Sequence, residues 1–130
     1  MTLPLQITAL YASLFGVMCV MLMVVVIRLR RGLKIGLGDG GNRDLQQAIR
    51  VHGNAIECVP IFLLLLAILE INHGSATLLH VFGTAFLFAR ILHAWGLYVS
   101  SGASVGRVTG TAITMTLLVA LAIANLSKIF

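Results

Sequence analysis

Four long apolar stretches take up most of this chain, and that distribution restricts its fold more than any single motif does. They lie at about residues 3–27, around 58–69, at 76–98 and at 108–127. A helix that crosses a bilayer needs ~20 predominantly apolar residues, which each stretch reaches with its flanks. With 59% hydrophobic and 10% charged residues and a mean hydropathy of +1.04, a soluble domain is excluded, since roughly a quarter of such a domain is charged. The sequence therefore predicts an all-α membrane protein, a four-transmembrane-helix bundle. It forms one domain over 1–130, with spans at about 3–28, 43–72, 75–99 and 106–128.

The first and fourth spans are uninterrupted, whereas the second and third contain Glu57 and Arg90. Only the twelve residues 58–69 separate Glu57 from Glu70, so the second span draws charge into or near the lipid. An ionised side chain in hydrocarbon costs ~2.5 to 3.5 kcal/mol on insertion scales, which predicts that Glu57 and Arg90 face a polar bundle interior. The polar residues concentrate at 50–60, where Arg50, Asn54 and Glu57 are spaced i, i+4, i+7 and share a helix face that Gln46 and Gln47 extend. Folding about a turn near His73 brings Glu57 and Arg90 to similar depth and sets His93 beside Gly53 and Asn54. Folding about a turn near Gly102 sets Tyr98 beside Arg107. Two readings are open: a bundle-locking ion pair of Glu57 with Arg50 or Arg90, or the wall of a binding site.

Lys and Arg placement gives the expected orientation. The first connection holds Arg28, Arg30, Arg31, Lys34, Arg43 and Arg50, the turn at 72–74 holds none, and the next connection holds Arg107. The first and third connections are thus placed in the cytoplasm and both termini outside. The formal charge of +5 is mostly this signal, and no nucleic-acid role is expected because the basic residues flank spans. The glycine-rich stretch at 32–41 lacks a phosphate-loop ending and reads as a flexible connection, after which Asn42 is placed to cap the second helix. Pro60 is expected to kink that helix. The first span reads as a plain lipid-facing helix, and Trp95 as part of an interfacial aromatic belt. Gly102, Gly106, Gly110 and Thr114 recur every four residues and allow close helix approach. Cys19 and Cys58 read as buried apolar residues without a disulfide.

At these residues the chain resembles the MAPEG family, the membrane-associated proteins in eicosanoid and glutathione metabolism, in a bacterial-type form. The resemblance rests on Arg50, His52, Asn54, Glu57 and Pro60, on Arg90 with His93 in the third span, and on Arg30-Arg31 followed by Lys34-Ile35. It implies a homotrimer binding glutathione as co-substrate at the cytoplasmic side between subunits, with no metal. Arg50, Asn54 and Glu57 would hold glutathione from one subunit, with Arg30 and His52 reaching it from the neighbour. Arg90, His93 and Tyr98 would complete the site, and Arg107 would stabilise the thiolate as the catalytic residue. The family tyrosine matches Leu97, one position before Tyr98, and a one-residue shift rotates a side chain by ~100°. The implied activity is a glutathione-dependent transferase or peroxidase acting on hydrophobic electrophiles or lipid hydroperoxides that arrive through membrane lipids. The alternative is a non-catalytic lipid- or glutathione-binding member. A small proton-coupled drug exporter is disfavoured, because its essential Glu belongs in the first span and this one has no acidic residue. Short loops and compactness suggest a bacterial inner membrane.

Overall fold

The computed structural model describes residues 5–99 and 104–129 and consists of four helices: α1 (Gln6–Leu33), α2 (Arg43–Ile71), α3 (Ala76–Val99) and α4 (Val105–Leu126). Each is long and apolar enough to cross a membrane. The turn near Gly102 and the first two residues expected in the first span lie outside the described residues. Consecutive helices are antiparallel, so the α1–α2 connection and the start of α4 share one end of the bundle, the basic end. The α2–α3 turn occupies the other.

The helix starts show why the segments break where they do. Asn42 adopts an extended conformation and its side chain accepts from the Leu45 amide at 2.9 Å, satisfying one of the donors that a helix start leaves open. Ser104 does the same for α4, accepting from the Arg107 amide at 3.2 Å. Helix α1 has no side-chain cap of its own. Its cap comes from the far end of α2, where the two Glu70 oxygens accept from the Ile7 and Thr8 amides at 2.9 and 2.7 Å. A carboxylate at a helix amino terminus also meets the positive end of the helix dipole.

The core lies in the half of the bundle away from the basic end. Val59, Phe62, Leu66 and Leu69 recur at helical spacing on α2 and are buried. Phe62 stacks on Phe86 with centroids 3.8 Å apart, and Phe15 meets both rings edge-on. Pro60 lies on the exposed side of α2, which continues past it as one helix.

The first helix is not plainly lipid-facing. Thr8, Tyr11 and Phe15 are buried, and the Tyr11 hydroxyl lies 2.9 Å from Thr84 Oγ1 and 3.1 Å from His80 Nδ1. The Tyr11 ring occupies the space a side chain at Gly83 would need. A buried phenol needs such partners, and a hydropathy count cannot see them.

Helices α3 and α4 approach most closely. Gly106, Gly110 and Thr114 are all buried against α3, as their four-residue spacing suggests. A Cβ at Gly110 would lie 2.8 Å from the Ala89 carbonyl oxygen. At the far end, Asn125 ties α4 to α2 by donating to the Leu65 carbonyl at 3.0 Å.

The α1–α2 connection is folded on itself. Arg30 donates to the Gly38 carbonyl at 2.8 Å, and Gly38, Gly40 and Gly41 all take positive φ, a region glycine enters without steric cost.

Candidate functional site

At the basic end, α2, α3 and α4 form a groove of about 250 Å³ lined by Gln46, Gln47, Arg50, Leu97 and Arg107. Its polar side comes from the first turns of α2, where Gln46 and Arg50 lie one turn apart. A second, longer trough of about 570 Å³ runs down α4 past Val108, Thr111, Ala112 and Met115, and Arg107 lines this trough as well. One arginine thus stands where a polar, cationic groove meets a largely apolar one.

The placing of Arg107 follows from small residues and a hydrogen-bond cluster. Gly96 lets the start of α4 lie directly against α3, since a Cβ there would run into the Arg107 amide and the Gly106 carbonyl carbon. Ser104 caps the Arg107 amide and donates to the Gly96 carbonyl at 2.7 Å. The Thr111 hydroxyl donates to the Arg107 carbonyl at 2.8 Å. That hydroxyl has one proton, so its 3.0 Å contact with His93 Nδ1 must be one in which the imidazole donates. The same Nδ1–H also points toward the Arg107 carbonyl at 3.3 Å. The network therefore sets the tautomer of His93, which is buried against α4.

Deeper in the bundle, Arg90 is only 2% exposed. It donates to Asn54 Oδ1 at 2.6 Å and to Thr114 Oγ1 at 3.4 Å, while its Nε has no hydrogen-bond partner among the described residues. The expected Glu57–Arg90 pairing does not form within the chain. Val51, Ala55, Val59 and Phe62 define the buried face of α2, and Glu57 lies on the opposite face, exposed, with Arg50. Asn54, at the edge of that face, is the residue turned inward.

Leu97 is buried and faces Arg50 and Arg107. Tyr98, 46% exposed, instead lines a separate recess with residues of α1, which corrects the expectation that it lies beside Arg107. The one-residue rotation carries it around the helix. Arg30 holds its own connection, and His52 is half-buried on α2. Sequence reasoning missed Thr111, Ser104, Thr114 and Gly96. Only Thr114, in the four-residue stripe, and Ser104, three residues before Arg107 in a capping position, left a readable signal.

The chain is a four-helix integral membrane protein whose arginines are gathered in one half of the bundle. The chain belongs to the MAPEG family, whose family model matches residues 8–127. It is 37% identical over 93 residues to the inner membrane protein YecN of Escherichia coli, an alignment covering 72% of this chain and 71% of YecN. It is also 32% identical over 121 residues to an uncharacterized protein of Synechocystis sp., covering 89% of this chain and 82% of that protein. The family includes glutathione transferases and peroxidases.

Proposed function

We propose that this protein is a glutathione-dependent transferase or peroxidase that acts on hydrophobic electrophiles or lipid hydroperoxides. The observation that carries the reading is the position of Arg107, shared by a polar groove and an apolar trough. A free thiol has a pKa of ~8.5, so at neutral pH little of it is the nucleophilic thiolate, and a nearby guanidinium favours ionisation. A peptide held in the groove by Arg50, through a carboxylate, would bring its sulfur to Arg107. The second substrate would enter from the bilayer along Val108, Ala112 and Met115.

Assembly as a homotrimer belongs to the same reading. Glu57 sits on the outward face of a membrane-spanning helix, where exposure to lipid would cost ~2.5 to 3.5 kcal/mol. A neighbouring subunit covering that face, and contributing Arg30 and His52 to the groove, removes the cost. The name of the Escherichia coli relative supports an inner-membrane location, and the excess of Lys and Arg at the basic end supports placing that end in the cytoplasm.

Calorimetric titration of the purified protein with reduced, oxidised and S-alkylated glutathione tests the proposal. Saturable binding of reduced glutathione, weakened by Arg50→Ala, is expected. Failure of all three to bind would reject it, and binding without turnover across a panel of electrophiles and hydroperoxides would return the non-catalytic alternative.

A further inference from the structure

A second recess at the basic end, of about 410 Å³, lies between α1, α2 and α3 and is lined by Val25, Arg28, Leu29, Asp44, Gln47 and Tyr98. It shares only Gln47 with the groove at Arg107. Its lining combines one cation, one anion, an amide and a phenol with two aliphatic side chains. Arg28 is the first charged residue after the apolar run of α1, which puts it where hydrocarbon gives way to headgroups. Among the described residues, neither Arg28 nor Asp44 has a hydrogen-bond or ion-pair partner. Snorkelling to the interface accounts for an arginine here, and the helix dipole for an aspartate in the first turn of α2. Neither accounts for the two opposite charges lining one recess beside an apolar wall.

We propose that this recess binds a phospholipid whose headgroup carries a primary ammonium, that is, a phosphatidylethanolamine. Arg28 takes the phosphate, for which a guanidinium is geometrically suited. Asp44 accepts from the ammonium, Gln47 and Tyr98 donate to phosphate or ester oxygens, and the first acyl carbons lie along Val25 and Leu29. Charge complementarity selects this occupant. A purely anionic headgroup would meet the Asp44 carboxylate, a choline headgroup offers that carboxylate no N–H, and an uncharged lipophile leaves both charges unanswered.

The test is lipid retention by the full-length protein reconstituted in bilayers of defined composition and released for native mass spectrometry. Phosphatidylethanolamine should be retained over phosphatidylcholine by about tenfold, the scale of one charge-assisted contact, with N-methylated intermediates in between. Asp44→Asn should erase that preference, Asp44→Glu should keep it, and Arg28→Gln should weaken retention of both lipids. Equal retention of the two lipids, stronger retention of phosphatidylglycerol, or an unchanged preference in Asp44→Asn would overturn the proposal. Displacement of the lipid by glutathione would overturn it too, assigning the recess to the thiol peptide. Circular dichroism separates loss of fold from loss of lipid.

Discussion

Gly96→Ala tests how the fold sets the position of Arg107. The added Cβ would lie 2.6 Å from the Gly106 carbonyl carbon and against the Arg107 amide nitrogen. Ordinary contact begins at 3.4 Å, so α3 and the start of α4 must part by at least the difference of about 0.8 Å. Both atoms are backbone, and no flexible side-chain tip absorbs the strain. Overpacking of this kind costs about 1–3 kcal/mol, and a displacement near 1 Å costs a reaction on the order of 100-fold. We therefore expect thiol-transfer turnover to fall by roughly 10- to 100-fold, while glutathione binding through Arg50 changes less. Turnover with a lipophilic electrophile and calorimetric binding, measured on one preparation, report the two effects separately. Gly16→Ala is the control, since a Cβ there meets nothing within 4 Å. Wild-type turnover in a folded Gly96→Ala protein would refute the link between this crossing and the site.

Three other substitutions address separate parts of the structure. Asn54→Ala removes the 2.6 Å acceptor from a buried guanidinium and should cost about 1.5–3 kcal/mol in reversible unfolding; no loss would mean that Arg90 finds another partner. Glu70→Ala removes the cap on α1 and should cost about 0.5–2 kcal/mol, with faster hydrogen exchange confined to the first turns of α1. Exchange that stays slow there would show the cap to be dispensable. Thr111→Val removes the hydroxyl that bridges His93 and the Arg107 carbonyl and leaves only the longer 3.3 Å contact between them, and the bound thiol should then ionise at higher pH, with Thr111→Ser retaining the wild-type profile. An unshifted profile in Thr111→Val would leave Thr111 a packing residue only.

The four helices were legible because hydropathy over twenty residues is a strong, local signal, and Asn42 because capping is a short-range one. The stripe through Gly106, Gly110 and Thr114 was legible for the same reason. What the sequence hid depends on rotation and on distance along the chain. Equal-rise counting predicts depth but not which way a side chain faces, so it matched Glu57 to Arg90 when Asn54 is the residue turned inward. It likewise placed Tyr98 where Leu97 lies. The Glu70 cap joins residues more than sixty positions apart, and no local pattern in α1 announces it. The glycine-rich connection read as flexible because glycine content does not reveal that Arg30 would reach back to hold it.

Under the proposed function, Arg107 holds glutathione as its thiolate where the polar groove meets the apolar trough. The most direct measurement is the ultraviolet difference spectrum of the purified protein titrated with glutathione at neutral pH. A thiolate band that saturates with bound glutathione is expected in the wild type, and Arg107→Ala should lose the band while calorimetry still detects binding. Glutathione bound without a thiolate band in the wild type, or a full band in Arg107→Ala, would contradict the account.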